Sequence, residues 1–398
     1  MTQPSHAELA RVVRDHAGRL AASLVPLVGD FATAEDLVAD AVEAALVHWP
    51  VDGIPERPDA WLYTVARRRG LDLLRRESRH RDKLALVPWP AEPEPDDRLR
   101  LMFTCCHPAL PRTAQVALTL RVVCGLTTAQ IAKAFLVPES TVGQRITRAK
   151  RKISDAGIPY RIPSADDLAD RLADVLAVIY LLFNEGYLST GGPAAQSRDL
   201  TDDAEFLAAL LHGLMPTEPE VAGLLALIRL HRARVAARFD PDGGIVQLQH
   251  QDRTLWDHDA IADAGRLIAR AAAQKRPGPY QLQAAIVACH AEAGHWDGTD
   301  WTQIVVLYDM LLHLAPSPVT RLHRAIALRY VTGPAAALAE VDELAAILGD
   351  YYLFHATRAE LLRGLGRPDD ARKADRLALE RTANPAEQSL LRQRLNWM

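Results

Sequence analysis

Residues 125–153 read GLTTAQIAKAFLVPESTVGQRITRAKRKI. In the first half, Ile131, Ala132 and Phe135 fall at i, i+1 and i+4, an apolar stripe, and Thr127 or Thr128 supplies a hydroxyl for the unpaired amides of a first helical turn. Pro138 cannot continue that helix but suits the start of the next one. In the second half Val142, Ile146 and Ala149 recur at spacings of four and three, the positions of one packing face. Ser140, Thr141, Gln144, Arg145 and Arg148 are left outward, all able to meet base edges or phosphates. Lys150, Arg151 and Lys152 end the helix in cations, which its dipole favours with or without a polyanion. Two short helices, a tight turn and a basic second helix are the pattern of a DNA-reading helix-turn-helix.

Working outward, a chain of 398 residues is long enough for more than one core. Its net charge of -4 hides an asymmetry: residues 1–155 hold 22 Lys+Arg against 19 Asp+Glu, and the remainder 24 against 31. One half suits a polyanion and the other does not. Four cysteines, two of them the adjacent Cys105 and Cys106, do not make a disulfide framework, which fits a reducing cytoplasm. No signal-peptide pattern is expected at the start, and the longest apolar run, Val175 to Phe183, is too short to span a bilayer and reads as a buried helix.

Upstream of the motif, a helix is expected over residues 7–27, and another after Thr33 with Leu37, Val38, Ala41, Val42, Ala45, Leu46 and Trp49 in a 3.6 period. Glu35 and Asp36 lie in its first turn, where acids suit the dipole. Residues 50–58 read as a loop. From Asp59, Trp61, Leu62, Val65, Ala66, Leu71, Leu73 and Leu74 form a packing face opposite Arg67, Arg68, Arg69, Arg75, Arg76, Arg79, Arg81 and Lys83. Such a cluster is a footprint of nucleic-acid contact, with Trp61 and Tyr63 placed to stack on unpaired bases; as a bare charge run it is only a solvated face. Residues 84–98 carry four prolines with Glu92, Glu94, Asp96 and Asp97, the composition of an acidic linker.

AEDLVADA (34–41), AWLYTVARRRGLDLLRR (60–76), an acidic linker and then the 125–153 motif, in this order, resemble the extracytoplasmic-function group of bacterial sigma-70 family factors. The resemblance implies an all-α chain with a sigma-2-like domain at 1–83, a linker at 84–103 and a sigma-4-like helix-turn-helix domain at 104–155. It implies core RNA polymerase binding through Glu35, Asp36, Leu37, Asp40 and Trp49. Contact with the -10 element is implied for Trp61, Arg67, Arg68, Arg75, Arg76 and Arg79, and with the -35 element for Ser140, Thr141, Gln144, Arg145, Arg148 and Lys152. Arg68 and Gly143 stand where Asn and Lys are frequent in the family, so the promoter sequence does not transfer.

Residues 156–398 are additional, and read as helices rich in Ala and Leu: 168–187, 204–214, 220–239, 261–273, 280–293 and 302–314. Pro334 and Pro368, like Ala337 and Ala371, lie 34 apart, a tetratricopeptide-like period. FTCCHPAL (103–110), LLFNEGY (181–187) and DGGIVQLQHQDRTLWD (242–257) resemble the sigma-factor subgroup with such a C-terminal extension, which the resemblance makes a control domain open to a protein or small-molecule signal. The runner-up is a DNA-binding regulator or adaptor that recruits a partner through the repeats. No enzyme, cofactor, metal or membrane partner is expected: Cys105, Cys106 and His107 lack the spacing of a zinc site, and the cluster His250, Asp252, Arg253, Asp257, His258 and Asp259 reads as a capped loop over buried Leu248, Leu255 and Trp256.

Overall fold

The structure, a computed structural model, describes residues 20–21, 23–25, 27–29, 31–77, 98–124, 126–135, 137–158, 160–189, 200–240, 244–382 and 384–396. It is all-α. Among the described residues the single extended pairing is an antiparallel bridge between Phe239 and Ile245. By contacts the chain divides into two compact units, one reaching Glu185 and including residues up to Leu207 of a later helix, the other holding the rest.

In the first unit, α1 (Phe31–Asp52) packs on α2 (Pro58–Glu77). Leu37, Val38, Ala41, Ala45 and Trp49 are buried along α1, as their 3.6 period requires. The helix begins two residues before Thr33 and runs through Pro50, so the expected loop shrinks to residues 53–57. A proline is tolerated there because only one bond of the last turn is lost, and Gly53, at φ 85, donates its N–H to Trp49 O at 3.0 Å to close the end. Most of the helix expected at 7–27, the cations Arg79, Arg81 and Lys83, and the linker to residue 97 lie outside the described residues.

The same unit holds α3 (Arg98–Cys105), α4 (Arg112–Val122), α5 (Thr128–Ala134), α6 (Glu139–Asp155) and the first part of α7 (Ala165–Ser189). Thr127 caps α5 reciprocally: its Oγ1 accepts from Gln130 N, and Gln130 Oε1 accepts from Thr127 N. Pro138 is the residue before the first turn of α6 rather than within it.

The second unit contains the end of α8 (Leu200–Leu214), α9 (Pro219–Arg232), α10 (Val235–Arg238), α11 (His258–Ala273), α12 (Pro279–Glu292) and α13 (Trp301–Leu314). After them come α14 (Pro318–Thr332), α15 (Pro334–Asp342), α16 (Ala345–Leu348), α17 (Tyr352–Gly364), α18 (Pro368–Glu380) and α19 (Pro385–Asn396). The helix expected over 220–239 is two: it breaks at Arg234, whose ψ of 1 departs from the helix, and Ala233 O accepts from Asp257 N of a distant loop. Helices α14 to α18 pack around Leu322, Ala325, Val341, Phe354 and Leu362, and α19 packs on α18 with Leu391 buried beside Ala378. The 34-residue period is physical. Gly333 (φ 91) and Gly366 (φ 71) end one helix in the left-handed region, Pro334 and Pro368 open the next, and Ala337 and Ala371 are both fully buried where helices meet.

Candidate nucleic-acid interface

Helix α6 sorts its residues cleanly. Val142, Ile146, Ala149 and Ile153 are buried, while Ser140, Gln144, Arg148 and Lys152 are exposed and Thr141 and Arg145 half-buried on the opposite side. These six share one face because they span less than half a turn of the helical wheel. Neither Arg145 nor Arg148 makes an ion pair or side-chain hydrogen bond among the described residues, so both guanidinium groups remain available to an external anion.

On α2, Trp61 is half-buried and meets the buried Trp49 edge-on at 5.4 Å between ring centroids. Among the described residues Arg68, which is exposed, makes no ion pair, and the Nε of half-buried Arg67 has no partner. Arg69 pairs with Asp40 at 3.0 Å and Arg75 with Asp72 at 3.4 Å, both at the surface. The side chain of Arg76, like all of Arg79, is outside the description.

On α1, Leu37 and Trp49 are core residues, 4% and 1% exposed. Glu35 is buried as well, and its carboxylate is held by two cations: Arg121 Nε of α4 donates to Oε1 at 2.9 Å, and Lys150 Nζ of α6 donates to Oε2. Lys150 also pairs with exposed Asp36 at 3.0 Å. Burial alone would lower the Lys150 pKa, but the charges and hydrogen bonds of Glu35 and Asp36 outweigh it and hold the ammonium above its ordinary value. Lys150 thus leaves the outward basic face and turns to α1. Nothing local in the sequence signals this, since the partners are 115 and 114 residues apart.

Three family models match parts of the chain: sigma-70 region 2 at residues 12–80, sigma-70 region 4 at 100–153, and a family of unknown function (DUF6596) at 171–272. An uncharacterized protein of Rhizobium meliloti is 45% identical over 380 residues, 91% of this chain and 89% of the relative. The ECF RNA polymerase sigma factor SigL of Mycobacterium tuberculosis is 33% identical over 158 residues, 37% of this chain and 89% of the relative. The chain belongs to the ECF sigma factors of the sigma-70 family.

In this sigma factor the FTCCHPAL stretch is a socket. Cys105 and Cys106 are buried, and burial pushes their thiols up, Cys106 to about 12. Buried Gln115 donates to His107 O at 2.8 Å and accepts from Arg112, which in turn reaches Asp174 of α7 at 3.1 Å. Arg171 of α7 donates to Phe103 O. The first turns of the C-terminal extension are therefore pinned to the region 4 helices. His107 Nδ1 accepts from Ala109 N, a turn contact.

The polar cluster at 250–259 is a set of caps. Asp252 accepts from Thr254, Asp257 caps α11 through Ala260 N, and Arg253 donates to His290 O and Ala293 O. Trp256 is buried as expected, but Leu255 is 53% exposed and Leu248 only half-buried, because the two single-turn helices carrying them leave those side chains at the surface. Among the described residues no three His, Cys, Asp or Glu side chains come together as a metal site, and no helix is long and apolar enough to cross a membrane.

Proposed function

We propose that this sigma factor directs core RNA polymerase to specific promoters in the cytoplasm, reading the -35 element with Ser140, Thr141, Gln144, Arg145, Arg148 and Lys152. Arg67, Arg68, Arg75, Arg76 and Arg79, with Trp61, hold the -10 element. The observation that carries this reading is the outward face of α6, where Arg145 and Arg148 are charged, accessible and unspent on internal pairs. Core polymerase is bound through α1, with Glu35, Asp36, Leu37, Asp40 and Trp49 as its expected determinants. Because Glu35 and Asp36 are held by Arg121 and Lys150, engagement through these acids requires α1 to part from α4 and α6. The helical remainder controls this step. Support comes from α7, whose Arg171 and Asp174 grip the region 4 helices. Promoter-dependent transcription by purified chain with core polymerase is the test; DNA binding without recruitment of polymerase would leave a regulator or adaptor instead.

A further inference from the structure

The second unit holds a half-open cavity of about 390 Å³ between α14, α17, α19 and the segment after Ile245. That lies within the range of small-molecule sites, roughly 300–1,000 Å³. One wall is aromatic and rigid: Tyr330 stacks on Trp301 at 3.9 Å and 15°, and Trp296 stands edge-on to Tyr330 at 5.7 Å. Tyr330 is held further by Arg329, whose guanidinium lies 4.9 Å from its ring.

Charge decides what such a cavity takes. Its carboxylates, Glu360 and Glu387, are spent: Glu360 accepts from Arg329 and Arg363 on separate oxygens, and Glu387 from the Tyr352 and Thr382 hydroxyls. Its guanidinium groups are not all spent. Arg329 has its ion pair with Glu360, and Arg238 donates to Tyr187 O and lies 3.6 Å from that ring, but Arg394 has neither hydrogen bond nor ion pair among the described residues although it lines the cavity. Burial lowers the pKa of Arg394, with Arg363 and Arg329 adding to it and Glu360 and Asp375 opposing. Arg394 is half-buried, and its guanidinium at the cavity wall is free to give an incoming anion a charge-assisted hydrogen bond.

We infer that this cavity is a binding site for a small aromatic carboxylate, its ring against Tyr330 and Trp296 and its carboxylate on Arg394. A neutral ligand would leave Arg394 unpaired, and a cation would meet acids already satisfied. Only the regulatory consequence rests on the sigma-factor reading; the site itself does not.

Calorimetry on the full chain tests it with indole-3-acetate, 2-naphthoate and 4-hydroxyphenylacetate, each against its carboxamide. At least one acid is expected to bind at one site, with its amide and the Arg394→Gln variant weaker by about tenfold or more, the worth of one charge-assisted hydrogen bond. Arg392→Gln, on the exposed side of α19, should bind as the parent does, and thermal melting confirms that both variants fold. No binding by any acid at about 1 mM would overturn the inference, as would equal affinity for acid and amide, or an Arg394→Gln variant that binds like the parent. Transcription with and without the binding acid is read separately, so a failure of polymerase recruitment does not count against the site.

Discussion

Arg121 Nε donates a hydrogen bond to Glu35 Oε1 at 2.9 Å across 86 residues of chain, and Lys150 takes the other oxygen of the same buried carboxylate. One acid thereby ties the region 2 helix to two region 4 helices. Removing one partner of a buried pair leaves an uncompensated charge, at about 3–5 kcal/mol when fully buried and less at the partial exposure of Arg121. Lys150→Ala and Glu35→Gln should each lower the stability of the α1 to α6 contact. The double variant should lose less than the sum of the two, which a double-mutant cycle on urea unfolding measures. Full additivity would show that the pair is not coupled.

The outward face of α6 makes separable predictions for DNA. Arg148→Ala, if it contacts phosphate, weakens binding on all sequences and reduces the salt slope by about one. Gln144→Ala and Arg145→Ala, as base readers, should cost about 1–3 kcal/mol on the preferred site and relax preference at the base they meet. Fluorescence anisotropy at several salt concentrations, on the best site and on single-base variants of it, distinguishes these outcomes.

Two glycine substitutions should move stability in opposite directions. Gly223→Ala places a Cβ 2.7 Å from Gln281 N, where α9 and α12 cross backbone to backbone, and should destabilise the second unit by about 1–3 kcal/mol. Gly143→Ala meets only Thr128 Cγ2 at 4.0 Å, within ordinary contact, and should stabilise α6 by about 1 kcal/mol through helix propensity. Denaturant midpoints of the two variants are the measurement.

His290 links stability to acid. Burial, and then the charges of Arg234 and Arg253, lower its pKa from 6.5 to about 4. Between these values the unfolded chain binds the proton and the folded chain does not. Stability is therefore fully present above about pH 6.5 and falls as pH drops toward 4. His231, beside Arg234 and Arg238, is shifted in the same direction, chiefly by burial. The melting temperature of the chain should fall through this window, and His290→Gln should flatten the fall.

Much of this fold is legible in the amino-acid sequence. Thr127, Val142, Ile146 and Ala149 identify the helix-turn-helix because capping and a 3.6 period are local properties, and the residues that periodicity turned outward on α6 are those that are outward. The Gly333–Pro334 and Gly366–Pro368 boundaries were readable for the same reason, since a left-handed glycine and a helix-opening proline act within a few residues.

What tertiary structure alone decided was the fate of charge. Lys150 reads as one more cation at a helix end, yet it faces Glu35 and Asp36; nothing in the sequence marks Arg394, yet it lines a cavity with no hydrogen bond or ion pair among the described residues. Local sequence fixes which side of a helix a residue occupies, because backbone geometry is set over a turn. Which groups that side meets depends on segments brought together by burial of apolar surface, and Coulomb energy depends on that distance and on the water excluded around it.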